Sequence, residues 1–180
     1  MPEVDHRRVT IQSKDDVIRI RTRVIEGIHK TSRWLCSLEH QPLSLFEAMR
    51  FRQIGHDPLT LEPQNIIEQL NQTYTILASL RAVDLLFQLH PEIHGYRIAM
   101  ATCSGRDIES FDAGTLAAEV FCATHPQSNR KLQKEIARMS NDPAKHRYVF
   151  FYSPAHSGGR VPVLETHDHV HVYAVTLGIE

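Results

Sequence analysis

Apolar residues recur at helical spacing in several long stretches of this chain and run almost unbroken in a few short ones. After Ser13, residues 14–40 set Val17, Ile20, Val24, Ile28 and Leu35 at helix-like intervals, and Ser13 with Asp16 three residues on makes a capping-box-like start. The segment VIRIRTRV inside it also alternates and is β-branched, so a strand is the rival reading; the helix is preferred. Pro42 and Ser44 open a second helix, with Ser44 and Glu47 in an S-x-x-E box, Leu45, Phe46, Met49 and Ile54 on its apolar side, and Gly55 at its end. Residues 64–90 carry the broadest stripe, including Ile66, Ile67, Leu70, Tyr74, Leu77, Leu80, Leu85, Leu86 and Leu89. Pro63 suits the first turn of this helix, and Pro91 with Gly95 ends it.

Beyond Gly95 the period changes to that of strands. Residues 96–102 (YRIAMAT) are a short buried-type strand, a second runs from near Asp107 to Phe111, and Asp112-Ala113-Gly114 turns the chain into a third, residues 116–123 (LAAEVFCA). The third is apolar except for Glu119, as expected of a strand covered on both faces. Ser128 and Asn129 cap an amphipathic helix, RKLQKEIARM, with Leu132, Ile136 and Met139 inward and Arg130, Lys131, Lys134 and Arg138 outward or along a flank. RYVFFYSP is a fourth strand, SGGRVP a turn, and HDHVHVYAVTL a last strand, while residues 1–12 are loosely held or a short edge strand. A hairpin followed by a helical crossover implies a mixed sheet with helices on both faces. Residues 1–62 then form an N-terminal helical extension and 63–180 the α/β core, with HDPLTLEP as the connector.

Composition narrows the class more than the function. At 180 residues, with 42% hydrophobic and 23% charged residues, the chain suits one globular domain with a real core. A net charge of −1 removes any global basic excess, although a local basic groove can still hold phosphates. Cys36, Cys103 and Cys122 are odd in number and lack metal spacing, the N-terminus has no signal-like apolar run, and no stretch reaches membrane-span length, so a cytoplasmic location is expected.

Glu119 is the chemical anomaly. An ionised carboxylate in a buried strand costs several kcal/mol, on the order of a lost ion pair, unless it is paired, hydrogen-bonded or bound to metal. Asp107, at the mouth of the neighbouring strand, is its natural co-ligand, and a divalent cation is the usual remedy for two converging carboxylates.

The pattern G-R-D-I-E, a hairpin, A-E-V-F and a helix with K-L-x-K resembles the PD-(D/E)xK nuclease superfamily, which includes restriction endonucleases and Holliday junction resolvases. The resemblance covers about residues 64–154 and rests on element order more than on letters. It implies a restriction endonuclease-like αβββαβ core with a mixed central sheet flanked by helices. It makes Asp107 and Glu119 the ligands of Mg²⁺ in a phosphodiester-cleaving site, with DNA, duplex or branched, as partner and a homodimer as the expected assembly. The family's lysine position, two residues after Glu119, is Phe121. Some members place that lysine on the following helix, where Lys131 and Lys134 are the candidates, and some use a Glu from the first core helix, here Glu68. Arg106 and Arg130 would hold flanking DNA phosphates.

Two alternatives accompany this expectation. Phe121 also suits a nuclease-fold protein that has lost catalysis and binds nucleic acid or a protein. His167, His169 and His171, alternating along the last strand with Asp168 on its other face, would suit a Zn²⁺ or Ni²⁺ site.

Overall fold

A computed structural model describes residues 8–37, 42–99 and 105–178. The elements in order are strand β1 (Arg8–Ile11), helices α1 (Lys14–Cys36) and α2 (Pro42–Phe51), strands β2 (Gly55–His56) and β3 (Pro63–Gln64), helix α3 (Ile66–Leu89), strands β4 (Tyr96–Ala99), β5 (Ile108–Ser110) and β6 (Leu116–Cys122), helix α4 (Lys131–Ser140), and strands β7 (His146–Tyr152), β8 (Gly159–Arg160) and β9 (Val170–Ala174). No described helix is long and apolar enough to cross a membrane. The fold is mixed α/β, and the chain divides into two compact units, Asp15–Leu77 and the combination of Met1–Lys14 with Ala78–Glu180.

The second of these units carries a seven-stranded sheet in the order β1-β4-β5-β6-β7-β9-β8. β6 is its middle strand, antiparallel to β5 and parallel to β7 through α4, and β7 is in turn parallel to β9. The near-unbroken apolar run of residues 116–122 is thereby explained, since every residue from Leu116 to Phe121 is buried. Along β6 and β7, alternation sends Ala117, Phe121, Val149 and Phe151 into one cluster with Leu132, Ile136 and Met139 of α4 and Val170, Val172 and Ala174 of β9. Tyr148 points the other way, where its hydroxyl lies 2.7 Å from Nε2 of His90, just past α3. The C-terminal part of α3 therefore lines the face opposite α4, and Phe87 packs edge-on against Tyr96 at 5.0 Å.

The Asp15–Leu77 unit is arranged around Gln69, which is buried. Its Oε1 accepts the Thr31 hydroxyl at 2.7 Å and the His56 backbone N–H at 3.0 Å. Gly55 has to be a glycine here, because a Cβ would stand 2.8 Å from Gln69 Oε1 and 3.0 Å from the Asn65 carbonyl. Asn65, with its Oδ1 accepting Glu68 N–H at 2.8 Å, caps α3.

Several expectations are corrected at this level. Residues 14–36 form the helix rather than the strand, but α2 begins at Pro42, so Ser44 is inside it and not its cap. Phe46 is 72% exposed instead of inward-facing, and Leu43 and Phe51 are more exposed still. Gly55 and Pro63 are not helix termini; they sit in the β2–β3 hairpin that occupies the expected connector. Ser128 and Asn129 do not cap α4, whose preceding turn is a 3₁₀ segment (Ser128–Arg130) without a side-chain cap, and Asn129 and Arg130 both have φ of 54°. Gly159–Arg160, expected as a turn, pairs with β9 as the edge strand β8. β1 takes the other edge against β4, the short edge strand that was one of the two readings of residues 1–12. Residues 38–40 of the first expected helix, 100–102 of the 96–102 strand, and Cys103 lie outside the described residues.

The sheet core under α4 sets how firmly the site above it is held. Replacing Ile136, 1% exposed, by Ala should lower the unfolding free energy by about 2–5 kcal/mol in urea denaturation followed by circular dichroism. A loss under about 1 kcal/mol would show that α4 is not anchored through this side chain.

Candidate functional site

The β5–β6 pairing decides where the acids go. Ile108 lies opposite Ala118 and Glu109 opposite Ala117, so one more step of the same register brings Asp107 opposite Glu119. Directly opposed residues project from the same face with Cβ atoms about 4.5–5.5 Å apart. Asp107 is fixed from two sides: its carbonyl accepts Ala99 N–H at 2.7 Å, and its Oδ2 accepts Val120 N–H at 2.8 Å. Glu119 is 1% exposed, the most deeply buried acid named in this fold.

Two groups of α4, Arg138 and Glu135, act on Glu119. Arg138 donates through Nη1 to Glu119 Oε2 at 2.9 Å, and through Nη2 to the Gly105 carbonyl. Glu135, also buried, adds its charge to the surroundings of Glu119 and is itself paired with Lys131. Lys131, Glu135 and Arg138 follow the i, i+4, i+7 spacing of one helix face. Glu119 Oε1 is left buried without a hydrogen-bond partner. Burial pushes the Glu119 carboxyl up to about 9, the Asp107 charge and a carboxyl–carboxyl hydrogen bond to Asp107 push the same way, Arg138 pulls down, and Glu135 adds a further upward push.

The expected site residues are therefore only partly brought together. Asp107 and Glu119 meet. Lys131 is half-exposed and reaches the acids only through Glu135, and Lys134 is exposed and in no ion pair among the described residues. Phe121 is on the same strand face as Glu119, as alternation requires, but it is sealed in the apolar cluster under α4 and stacks against Phe151. Glu68 belongs to the Asp15–Leu77 unit and accepts a hydrogen bond from Gln72 one turn on, at 3.0 Å. Arg106 is held in a two-pronged ion pair with Asp142, at 2.7 and 2.8 Å, and so is committed within the protein; Arg130 is exposed in its left-handed turn.

Arg138 and Glu135 are the residues that sequence reasoning did not select. The signal for Glu135 was present, since it falls beside the inward stripe Leu132-Ile136-Met139. Arg138 has no such mark, being a basic residue in the last turn of a helix, where a solvated position is the ordinary expectation.

The histidine expectation is corrected. β9 starts at Val170, so only His171 is in a strand; His167 and His169 precede it, His169 with φ of 69°. His171 instead takes part in an ion-pair cluster with Arg160 and Glu165, 3.0 Å from the Arg160 guanidinium. Among the described residues no three or more His, Cys, Asp or Glu side chains form a group able to hold a metal ion on their own. Mg²⁺ does not require such a cage, because it keeps several waters and is commonly held by one or two carboxylates plus substrate phosphate. The orphaned, buried Oε1 beside Asp107 fits that mode of binding.

Comparison of the chain with protein-family models, with curated proteins and with solved structures gives no match.

The raised Glu119 pKa carries a consequence for stability. A carboxyl that holds its proton more tightly when folded stabilises the fold in acid, in full below its unfolded value near 4.5, and that stabilisation is lost as pH rises toward 9. In EDTA, thermal denaturation between about pH 5 and about pH 9 should show the parent losing stability with rising pH, and Glu119→Gln losing less. Equal slopes for the two proteins would remove Glu119 as the source.

Proposed function

We propose that the chain is a nuclease-fold protein that acts on phosphodiesters of DNA, duplex or branched, with Asp107 and Glu119 as a Mg²⁺-binding pair. The observation that carries this reading is the cross-strand pairing of the two acids, with one buried oxygen unsatisfied, on the central strand of the sheet. The order α3-β4-β5-β6-α4-β7, with an antiparallel hairpin and then a parallel crossover, supports the restriction endonuclease-like core that the resemblance implies. Mg²⁺ held there would supply Lewis-acid chemistry at the scissile phosphate and a more acidic bound water. The protein's own part is to fix the two carboxylates by strand register and backbone hydrogen bonds, and to bring cationic groups to them from α4. Arg130 and Lys134, both exposed and on the approach to or first turns of α4, are the phosphate-positioning residues of this reading.

A second reading is favoured by Phe121, whose burial in the core removes the family's lysine from the strand. On that reading the same fold binds DNA or a protein without cutting it. Plasmid and branched DNA incubated with Mg²⁺ or with EDTA separate the two. Mg²⁺-dependent cleavage that falls about a hundredfold or more in Glu119→Ala supports the active site, by the usual loss when a group that stabilises the transition state is removed. Cleavage undiminished in that variant sinks it, and DNA retention without cleavage selects the binding protein.

A further inference from the structure

The cation that touches Glu119 is not either of the lysines but Arg138, and it is held at both ends. One guanidinium nitrogen sits on Glu119 Oε2 at 2.9 Å, and the other is tied to the backbone carbonyl of Gly105, at the entry to β5. The pair is asymmetric in burial: Glu119's side chain is 2% exposed and that of Arg138 47%. The acid cannot move out of the central strand, whereas the arginine, on the last turn of α4 with a long stem, can swing into water. Glu135 has its own counter-ion in Lys131, and Asp107 has the Val120 N–H, so among these acids Arg138 is ion-paired with Glu119.

We propose that Arg138 is the gate of the two-carboxylate site: its guanidinium rests on Glu119 Oε2 in the resting protein, and a divalent cation taken up at the free Oε1 and Asp107 drives it off. The inference rests on the reading of Asp107 and Glu119 as cation ligands. A single positive charge on Oε2 and a doubly charged ion between the same carboxylates repel one another at a few ångströms, so occupancy by one opposes occupancy by the other. The coupling is reciprocal, as any linkage between two binding equilibria must be. Its structural readout is Gly105, which Arg138 ties to α4 while docked and releases when it leaves. The arrangement also gives the released arginine a use, since a half-exposed guanidinium beside bound metal is a natural anchor for a phosphate oxygen.

Calorimetric titration with Mg²⁺ and with Mn²⁺ tests the gate on the whole chain without any reference to turnover. Arg138→Gln should bind either ion about fivefold or more tightly than the parent, the lower end of ordinary coupling between sites. Arg138→Lys, which keeps the charge but not the two-pronged reach, should fall between them and guards against a folding defect in the first variant. In the parent, adding Mg²⁺ should speed amide exchange around Gly105 and shift the Arg138 Nε–H resonance in NMR spectra. Parent and Arg138→Gln binding with equal affinity, or the variant binding more weakly, overturns the gate; if Glu119→Gln abolishes that same binding, the carboxylate site itself stands. Absence of binding in the parent and in both Arg138 variants overturns the gate and the cation site together, whereas binding in Arg138→Gln alone is its strongest support.

Discussion

A carboxylate at the middle of a seven-stranded sheet is the constraint that the rest of this unit answers. Glu119 has neighbours above, below and on both flanks, and it cannot turn to solvent. Desolvating it costs several kcal/mol, on the order of the penalty for any unpaired buried ion. The fold meets that cost by register rather than by flexible pairing. Asp107 is brought opposite by the β5–β6 ladder, held by Val120 N–H and Ala99 N–H, and α4 is laid across the same face with Arg138, Glu135 and Lys131 on one stripe. Two of the three acids have a cation of α4, Glu119 with Arg138 and Glu135 with Lys131, while Asp107 relies on backbone N–H and one Glu119 oxygen stays unsatisfied. A purely structural solution would have put an apolar residue at position 119, which in a well-packed core is usually as stable or more so.

The parts of the fold that were legible in the sequence are those where one physical effect dominated. α3 announces itself through its length of apolar residues between Pro63 and Pro91, although Ile67, Leu70, Tyr74 and Leu89 of the expected stripe are exposed and Gln69 and Thr73 are buried instead. β6 and β7 announce themselves through apolar runs, broken in β6 only by Glu119, that a doubly covered strand requires. Errors cluster where short-range chemistry had two outlets. Gly55 and Pro63 are as good at the ends of a hairpin as at the ends of helices, and the close approach of Gln69 to Gly55 is a tertiary fact with no local mark. The 167–171 alternation fails for a similar reason: period two is the signature of a strand, but Thr166 to His169 are exposed and nothing apolar anchors them to the sheet until Val170. Ser128 and Asn129 have the side chains of caps, yet the chain enters α4 through two left-handed residues that leave no cap bond to make.

The candidate site divides along the same line. Asp107 and Glu119 were readable as a pair because turn position and strand alternation fix which residues face each other across a hairpin. Their cationic partners were not, because four residues of α4, Lys131, Lys134, Glu135 and Arg138, fall within about one-third of a helical turn's circumference, and spacing alone does not say which of them meets the sheet. The packing of Leu132, Ile136 and Met139 settles the rotation: it buries Glu135 beside them, leaves Arg138 on the flank that meets Glu119 and Lys131 on Glu135, and leaves Lys134 exposed.

Phe121 ties these observations together. Ala117, Glu119 and Phe121 share the strand face beneath α4, and with Phe121 buried among Leu132, Phe151 and the rest of that cluster, the strand itself has no cation to offer. Among the described residues the positive charge that touches Glu119 comes from the helix, as Arg138. Arginine serves two separate acceptors, Glu119 and Gly105, from the two terminal nitrogens of one planar fork, where a lysine would have to reach both from a single nitrogen. With an aromatic residue filling the strand position two beyond Glu119, the charge that meets the buried acid is carried by a half-exposed side chain of the helix.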